Sequence, residues 1–358
     1  MNTIRCELEK LLEDLPAISN KEIYIWGTGN TALLYQQGLE RLEKEGFVVE
    51  AYVDNNSKKW GSLFGGKEVV PPDTLKRGEA VALICSPQPN VVKSIAKQLE
   101  SMQVEYYHID EVIFKNHRKE ILTVFDCLAD EISKKTYYSV IKARIYGEYP
   151  EEGIYTEGAY FLLPQFLRRN TNEIFVDCGA YVGDSIEQFL WKKEGAFKKI
   201  IAFEPDAGNY KAMKKRISRL REEWNLKENA ILTYPFALGN ERSIKAMESY
   251  AENNGLGSKL VDGIEVEGNC QVVTIDEMIQ DPITFLKADI ESYEYKMLEG
   301  AKGSIAKWKP LLAICIYHNA VDIYSILLLI RSIVPEYKFA IRSHSYQLDE
   351  TVLYAWCD

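Results

Sequence analysis

The segment NEIFVDCGAYVGDS, residues 172–185, decides the fold of the second half of the chain. Residues 173–176 are predicted to form a strand, because the apolar run IFV follows Glu173, and Asp177 stands where this strand ends. Gly179 and Gly183 then open a turn into a helix. The spacing D-x-G-x-x-x-G is looser than the G-x-G-x-x-G of a dinucleotide-binding turn, which has to hold a pyrophosphate close to the backbone. The segment therefore predicts a strand, a glycine loop and a helix in a ligand-binding α/β domain.

The composition indicates an acidic globular protein with room for about two domains. The chain has 358 residues, of which 46% are hydrophobic and 27% are charged, and roughly 150 residues per domain is a common size. Its 43 Lys and Arg residues face 53 Asp and Glu residues, so the formal net charge is −10. Because a polyanion would meet a repulsive average field, nucleic acid is a poor candidate partner.

The cysteines and the apolar runs predict a reducing compartment and no membrane span. The seven cysteines are widely spaced and include no C-x-x-C pair, which indicates free thiols rather than disulfides or a zinc site. Residues 1–16 carry no apolar secretion signal. The longest apolar runs, residues 311–317 and 323–330, are much shorter than the roughly 20 residues that span a bilayer. We therefore expect a cytoplasmic protein.

Another strand-glycine-helix unit lies near the start of the chain. Residues 23–26 predict a strand, the glycine turn WGTGNTA (26–32) leads into a predicted amphipathic helix, and the following strand ends at Asp54. Gly27 and Gly29 match the first two positions of G-x-G-x-x-G/A, so that the turn can approach a phosphate and Asp54 can accept ribose hydroxyls. We predict a Rossmann-like nucleotide- or substrate-binding domain over residues 1–115, with Gly27, Gly29 and Asp54 as ligand-binding residues. Packing alone is the alternative role for such glycines.

Residues 116–158 are predicted to connect two domains. Four apolar residues recur at steps of four and three, which predicts one buried face of a connecting helix or helix pair: Ile121, Phe125, Leu128 and Ile132. The Gly- and Glu-rich residues 148–158 then predict a loop. The second domain is expected to cover residues 159–358.

Further carboxylates are expected at the strand ends of the second domain. The strand KKIIAFEP (198–205) ends at Glu204, 27 residues after Asp177, where a carboxylate can accept both hydroxyls of a ribose. The strand ITFLKADIES (283–292) carries acids at its carboxyl end. Ligands of open α/β sheets bind beyond the carboxyl ends of the strands. Four acids are therefore predicted to converge on one crevice: Asp177, Glu204, Asp289 and Glu291.

An acid one residue beyond a strand, followed by a loose glycine loop, is the arrangement with which methyltransferases hold S-adenosylmethionine. The loop wraps the methionine part of this cofactor, and the acid after the next strand binds its ribose. The predicted cofactor-binding residues come from the glycine loop and from the ends of the next strands: Asp177, Gly179, Ala180, Tyr181, Gly183, Asp184, Ser185, Glu204, Pro205, Ala237, Asp289 and Glu291.

With these motifs, residues 160–354 resemble the FkbM family of S-adenosylmethionine-dependent methyltransferases. The resemblance rests on an ordered series of motifs: FVDCGAYVGDS, FEPD, GLGS, VVTIDEM, FLKADIESYEYKMLEGA, LAICIYH and ETVLYA. It implies a class I methyltransferase fold, with a mostly parallel seven-stranded sheet and an antiparallel terminal hairpin. The chain would then contain two Rossmann-like three-layer α/β domains. The resemblance also implies methyl transfer to a hydroxyl of a sugar, a glycan or a related small molecule.

The N-terminal part resembles the Rossmann-like domain found ahead of bacterial sugar-modifying enzymes. The shared features are the turn WGTGNTA, the strand end VDNN, the segment GGKEVVPPDTL and the strand end CSP. The implied partner is a molecule with an acceptor hydroxyl, which the first domain would recruit or orient. A nucleotide sugar is one candidate for this acceptor. The sequence is also compatible with an oligomer.

Two residues depart from the family pattern. The family's usual D-x-E-G after the fourth strand reads DIES here, so that Ser292 replaces a glycine that accepts a positive φ easily. Val182 stands in the first glycine loop where an acidic or polar residue is common. We expect the loop around Ser292 to be shifted or less permissive of positive φ.

Methyl transfer to an alcohol calls for a base near the reacting methyl group, because an alcohol has a high pKa. His318 is the first candidate, since it follows the strand LLAICIY (311–317) and histidine titrates near neutrality; a structural histidine at a strand end is the alternative. Asp289 is the second candidate. A metal shared by Asp289, Glu291 and His318 has no spacing signature in its favour, so no metal is predicted.

Other functions stay open at this stage. A nicotinamide-dependent oxidoreductase would use the N-terminal glycine turn, and a binding protein would retain a methyltransferase fold without activity. A nucleic-acid amino-methyltransferase is disfavoured, because DIES stands where those enzymes carry D/N-P-P-Y/F. Tyr160 and Phe161 form a candidate lid, with core packing as the alternative.

Overall fold

A computed structural model describes residues 3–18, 21–29, 32, 35–248, 259–261 and 269–358. These residues form two compact units. The first unit comprises residues 1–155, 317–324 and 341–351, and the second comprises residues 156–316, 325–340 and 352–358. In the described part of the chain, no helix has the length and apolar character needed to cross a membrane.

The first unit contains a six-stranded, mostly parallel sheet. Its strands are β1 (Glu22–Trp26), β2 (Val49–Val53), β3 (Leu63–Phe64), β4 (Lys67–Val70), β5 (Ala80–Ile84) and β6 (Glu105–His108). Its helices are α1 (Thr3–Glu13), α2 (Gln36–Lys44), α3 (Pro89–Met102), α4 (Ile109–Asn116), α5 (Arg118–Cys127) and α6 (Glu131–Tyr146). The strand order is β3-β4-β2-β1-β5-β6, and β3 with β4 is its antiparallel pair.

The central strands of this sheet are apolar because both of their faces are covered. All five residues of β5 are buried, and Ile25 of β1 lies opposite Leu83 of β5. Val92 and Leu99 of α3 belong to the same apolar cluster as these strands. The prediction of an α/β fold with a mostly parallel sheet is confirmed for this part of the chain.

The predicted connecting segment is a helix pair, α5 and α6. The carboxylate of Asp130 accepts a hydrogen bond from the N–H of Ser133 at 2.8 Å and thereby begins α6. The helical periodicity is broken at this cap, so Ile132 is 54% exposed. The prediction that Ile132 shares the buried face of Ile121 and Phe125 is therefore wrong.

The remaining strands and helices lie wholly or partly in the second unit. The strands are β7 (Ile174–Cys178), β8 (Lys199–Phe203), β9 (Ile231–Tyr234), β10 (Ala237–Leu238), β11 (Ser243–Glu248), β12 (Lys259–Val261), β13 (Asn269–Val273), β14 (Phe285–Ala288), β15 (Leu311–Cys315), β16 (Lys338–Ser343) and β17 (Thr351–Trp356). The helices are α7 (Pro164–Leu167), α8 (Asp184–Lys193), α9 (Ala207–Glu223), α10 (Ile275–Met278), α11 (Glu294–Glu299), α12 (Lys302–Trp308) and α13 (Asp322–Ile333).

Seven of these strands form one sheet in the order β16-β17-β15-β14-β7-β8-β9. The pairs from β15 to β9 are parallel, whereas β17 runs antiparallel to β15. This is the mostly parallel seven-stranded sheet with an antiparallel end that was predicted from the sequence. Because β14 lies between β7 and β15, the carboxyl ends of these three strands lie side by side.

Aromatic side chains fill the core of the second unit. Phe175 of β7 stacks on Phe189 of α8 with ring centroids 4.5 Å apart. Phe161 is 1% exposed and packs edge-on against Phe285 at 5.6 Å. Such aromatic pairs contribute about 0.5–1.5 kcal/mol beyond their buried area. Phe161 is therefore a core residue rather than part of a lid.

The predicted strand AILTYPFAL, residues 230–238, is two strands. β9 pairs with β8 in the large sheet, whereas β10 pairs with β13 in a separate four-stranded sheet of order β10-β13-β11-β12. Pro235 lies between them and has no N–H to donate to a continuous ladder. The GLGS motif (255–258) lies outside the described residues.

Candidate active site

The glycine loop after β7 crosses the chain directly after β14. Gly179 has a φ of +78°, and a Cβ at this position would lie 1.9 Å from the backbone oxygen of Asp289. No side chain larger than hydrogen fits such a crossing. The N–H of Asp289 also donates to the oxygen of Cys178 at 3.0 Å. The loop and Asp289 are therefore held together by backbone contacts.

Glu204 lies against the other side of the same loop. Its Oε2 accepts a hydrogen bond from the N–H of Tyr181 at 2.8 Å, and its Oε1 accepts one from the N–H of Asp206 at 2.9 Å. The oxygen of Phe203 accepts from the N–H groups of Gly179 and Ala180. The structure thus brings Glu204, the glycine loop and Asp289 together at one end of the sheet.

The Glu204 carboxylate is 6% exposed, and burial raises its pKa to about 7 despite two backbone donors. A carboxylate offers about four lone pairs. One accepted bond on each oxygen leaves each able to accept one more. A pair of neighbouring hydroxyls on a ribose matches this acceptor set, and their hydrogen bonds would favour the ionised form.

Asp177 is held by protein groups rather than aimed at open space. It lies within β7, fully buried, opposite Lys287 of β14, and its Oδ1 is 3.1 Å from the ammonium of Lys287. Its Oδ2 accepts from the hydroxyl of Ser185, and Lys287 also donates to the oxygen of Gly179 at 2.8 Å. This network joins the two strands, the first turn of α8 and the glycine loop. Direct contact of Asp177 with a cofactor stays a prediction.

Burial acts on both members of this pair, with different outcomes. It raises the pKa of Asp177, which Lys287 and Ser185 offset only in part. Burial alone would lower the pKa of Lys287, but the charges of Asp177 and Asp289 outweigh it and raise that pKa. Lys287 is therefore a cation inside the sheet. Lys287 belongs to none of the predicted site residues, although a lysine within the apolar run FLKA signals a buried partner.

Tyr160 reaches Asp289 from the segment ahead of β7. Its hydroxyl donates to Oδ2 of Asp289 at 3.0 Å and lies 3.6 Å from the sulfur of Cys315. Its ring lies over the ammonium of Lys287, 5.2 Å from the centroid. Tyr160 has a φ of +63°, a conformation that costs a non-glycine residue about 1–3 kcal/mol. The fold holds this tyrosine against the acid after β14 in spite of that cost.

The turn after Asp289 also carries backbone strain. Glu291 and Ser292 have φ values of 54° and 76°, and Ser292 is 2% exposed. The serine has therefore not removed the left-handed conformation that a glycine would accept more readily. The expectation that the loop around Ser292 is shifted or less permissive of positive φ does not hold for the backbone at Ser292 itself.

Replacing Ser292 by glycine should stabilise the protein by about 0.5–1 kcal/mol. The left-handed conformation costs serine about 1–2 kcal/mol, and glycine avoids this cost. Part of the gain is lost because glycine also increases the conformational entropy of the unfolded chain. The urea midpoint should rise. The matched control is Ser304→Gly within α12, which should lower the midpoint because glycine weakens a helix. A fall in the midpoint for Ser292→Gly would contradict the interpretation.

Other predicted site residues lie around the glycine loop and in the first unit. Gly183 has a φ of +80° and precedes α8, whose first residue, Asp184, is exposed. Ala237 is 4% exposed in β10. His318 is 7% exposed and packs against Tyr317 with ring centroids 4.1 Å apart; its role as a base stays a prediction.

The three residues predicted to bind a ligand in the first domain lie around one cavity, and ligand binding by them stays a prediction. Gly27, Gly29 and Asp54 line one cavity at the carboxyl ends of the strands of the first unit. The first α-helix described after β1 begins at Gln36, seven residues after Gly29, rather than directly at the glycine turn.

Comparisons with known proteins agree with this geometry. Residues 177–346 match the family model described as the methyltransferase FkbM domain, and residues 19–110 match the one described as C2185-like, N-terminal. No curated protein matches the chain closely enough to be reported. The structure of methyltransferase FkbM from Methylobacillus flagellatus KT is 21% identical, with 99% of each chain covered and a TM-score of 0.58. This likeness shows a shared fold.

A partial match is much weaker. An rRNA methylase from Streptococcus thermophilus is 15% identical over 53% of this chain and 90% of that one, with a TM-score of 0.34, too low to support an argument. The family of residues 177–346 implies S-adenosylmethionine as the methyl donor. The chain therefore carries a methyltransferase FkbM domain over residues 177–346, for which S-adenosylmethionine is the implied methyl donor, and a C2185-like N-terminal domain over residues 19–110.

Proposed function

We propose that this protein transfers a methyl group to a hydroxyl oxygen of a sugar, a glycan or a related small molecule. The observation that supports the proposal is the position of Asp289. This acid directly follows β14, touches the glycine loop through its backbone and receives a hydrogen bond from Tyr160. A carboxylate at the edge of a cofactor crevice can accept the proton that an alcohol loses when it is methylated.

The residues of the second unit fit the cofactor that the family implies. Glu204 retains one acceptor site on each oxygen for the ribose hydroxyls, and Gly179 leaves the loop without a side chain at its closest crossing. When bound, S-adenosylmethionine supplies a methyl group activated by its positively charged sulfur. The neighbouring carboxylates favour a cation in this crevice.

Asp289 and Tyr160 supply the proton chemistry of the proposal. The Tyr160 hydroxyl donates to Oδ2 of Asp289 and so fixes the direction of the carboxylate. Asp289 then accepts the proton of an acceptor hydroxyl as the new oxygen–carbon bond forms. His318, the first candidate base from the sequence, is retained as a competing base, and the variants described in the Discussion separate the two.

The acceptor class rests on the family resemblance rather than on a measured contact. A hydroxyl-rich small molecule, including a nucleotide-linked sugar, is the proposed substrate, and the cytoplasm is the proposed location. We propose no nucleic-acid partner, because the chain has a net charge of −10.

The proposal is tested by methyl transfer from labelled S-adenosylmethionine to a panel of monosaccharides, nucleotide sugars and glycan fragments. Mass spectrometry of the product should place the added methyl on oxygen. Methylation of amines in a matched amino-sugar panel, with no transfer to hydroxyls, would overturn the O-methyl assignment. A protein that binds S-adenosylmethionine and methylates no member of either panel would contradict the proposed substrate class.

The affinity for S-adenosylmethionine should fall about tenfold for each pH unit below about 7, until the pKa of the bound form is reached. Burial raises the pKa of Glu204 to about 7, so the carboxyl takes up a proton as the pH falls. The ribose hydroxyls donate to the ionised form, and a protonated carboxyl loses acceptor capacity. Calorimetric titration between pH 8 and pH 6 measures the dissociation constant.

Glu204→Gln is the control for this pH effect. Glutamine has no proton to gain, so its affinity should be lower at pH 8 and should lack the additional pH dependence of the native protein. Any titration of the cofactor itself affects both proteins equally and cancels in the comparison. Parallel pH curves for the two proteins would show that Glu204 does not bind the ribose.

A further inference from the structure

A cavity of about 460 Å³ lies at the carboxyl ends of β1, β2 and β5 in the first unit. β1 pairs with β2 on one side and with β5 on the other. The strand order therefore reverses at β1, which makes this a switch point of the sheet. Ligands of open α/β sheets bind in the crevice at such a switch point. The volume falls within the range of about 300–1,000 Å³ of small-molecule sites.

The glycine turn after β1 shapes one wall of the cavity. Gly27 has a φ of +125°, and a Cβ there would lie 3.4 Å from the backbone oxygen of Cys85. Cys85 directly follows β5 and also lines the cavity. That distance is an ordinary van der Waals contact, so the positive φ at Gly27, rather than the approach to Cys85, calls for glycine in the turn along the cavity.

The polar corner of the cavity is formed by Asp54, Thr28 and Lys59. Oδ2 of Asp54 accepts from the hydroxyl of Thr28 and from the ammonium of Lys59 at 3.0 Å, and Oδ1 accepts from the N–H of Asn56 at 2.8 Å. Burial alone would raise the pKa of Asp54, but these hydrogen bonds outweigh it and lower that pKa. Asp54 is therefore an ionised acceptor at the end of the second strand, the position from which an acid binds a ribose.

Lys59 supplies the cation among the residues that line the cavity. Its ammonium also donates to the backbone oxygen and the hydroxyl of Thr28 at 3.1 and 3.0 Å, and its side chain is 37% exposed. A lysine is a compact charge on a flexible stem. An incoming phosphate can therefore draw the Lys59 ammonium away from Asp54. This movement frees an acceptor site on Asp54 for a ribose hydroxyl.

Helix α3 contributes both apolar and polar side chains to the lining of the cavity. Val91 and Ile95 of α3 line the cavity beside Asn90 and Ser94, and Val91 is 38% exposed. A flat heterocyclic base can cover the apolar side chains of Val91 and Ile95. A free sugar or an inorganic anion is too polar to do so. The cavity thus combines an acceptor, a cation and two apolar side chains.

We propose that this cavity binds a nucleoside diphosphate, free or as its sugar ester. Asp54 accepts the ribose hydroxyls, Lys59 pairs with the phosphates, and Val91 and Ile95 contact the base. The site lies within the first unit and does not depend on the proposed methyl transfer.

Calorimetric titration of the full chain with nucleoside diphosphates, the corresponding nucleosides, pyrophosphate and free monosaccharides tests this proposal. A nucleoside diphosphate should bind at least tenfold more tightly than its nucleoside or pyrophosphate. Asp54→Asn should weaken binding of the diphosphate and of the nucleoside about tenfold. Lys59→Met should weaken binding of the diphosphate alone, so that its advantage over the nucleoside disappears.

Lys58→Met is the matched control, because Lys58 is an exposed neighbour that does not line the cavity. Equal losses in Lys58→Met and Lys59→Met, no binding of any nucleoside diphosphate, or equal affinity for pyrophosphate would overturn the proposal. Thermal melting shows whether each variant is folded. If Asp54→Asn fails to fold, Lys59→Met still tests the proposal. Binding of S-adenosylmethionine, measured on the same samples, should stay unchanged in all variants, which separates this proposal from the proposed function.

Discussion

Replacing Asp289 by asparagine is expected to lower kcat for methyl transfer by about 10²- to 10⁴-fold, the usual contribution of a general base. Asparagine has nearly the same shape and still offers an oxygen to the hydroxyl of Tyr160. It cannot accept a proton from an alcohol. Because the change leaves the backbone crossing with Gly179 intact, affinity for S-adenosylmethionine should fall much less than kcat, by the share that the lost negative charge contributes, so that most of the loss lies in the chemical step.

Two further variants separate the roles around Asp289. Tyr160→Phe removes one hydrogen bond to the carboxylate and keeps the ring over Lys287, so it should lower kcat less than Asp289→Asn. His318→Gln tests the competing base. If kcat falls about 10²-fold or more in His318→Gln and is nearly unchanged in Asp289→Asn, then histidine is the base and the assignment to Asp289 is wrong.

The strand ends were predictable from the sequence because parallel, doubly covered strands are short apolar runs with polar residues just beyond them. Glu204 and Asp289 follow β8 and β14 as expected, and both contact the glycine loop. Asp54 likewise follows β2 and lines the cavity with Gly27 and Gly29. Local pattern and the rule for carboxyl ends were sufficient for these positions.

The rest of the site depends on contacts between residues far apart in the chain. Tyr160 meets Asp289 across 129 residues and adopts a positive φ that no local preference of tyrosine indicates. Asp177 appeared as a cofactor ligand in the sequence because it ends an apolar run, but its position opposite Lys287 depends on the pairing of β7 with β14. Neither the register of a parallel pair nor a strained backbone can be inferred from local periodicity.

The pair of Asp177 and Lys287 should have the largest effect on stability. Lys287→Met leaves the fully buried Asp177 without its counter-charge and removes the donor to the oxygen of Gly179. Loss of one partner of a buried ion pair costs about 3–5 kcal/mol. The urea midpoint at pH 8 should fall accordingly. Lys199→Met is the control, because Lys199 pairs with Asp281 near the surface, where a salt bridge contributes at most about 1 kcal/mol.

The loss in Lys287→Met should shrink as the pH falls from 8 towards 5. Burial already raises the pKa of Asp177 in the native protein, and removal of the ammonium raises it further. A carboxyl whose folded pKa exceeds its unfolded pKa stabilises the fold at low pH, and this contribution is lost as the pH rises through the folded pKa. A constant loss at every pH would show that Asp177 is not the source.

Adding Asp177→Asn to Lys287→Met should recover at least about 2 kcal/mol at pH 8, because a neutral side chain leaves no charge to bury. The single variant Asp177→Asn should be destabilising by itself, since it leaves the buried ammonium unpaired. If the double variant were no more stable than Lys287→Met, the cost would come from packing or from the lost bond to Gly179. A recovery in stability without a recovery in S-adenosylmethionine affinity would indicate that this ion pair also positions the glycine loop for the cofactor.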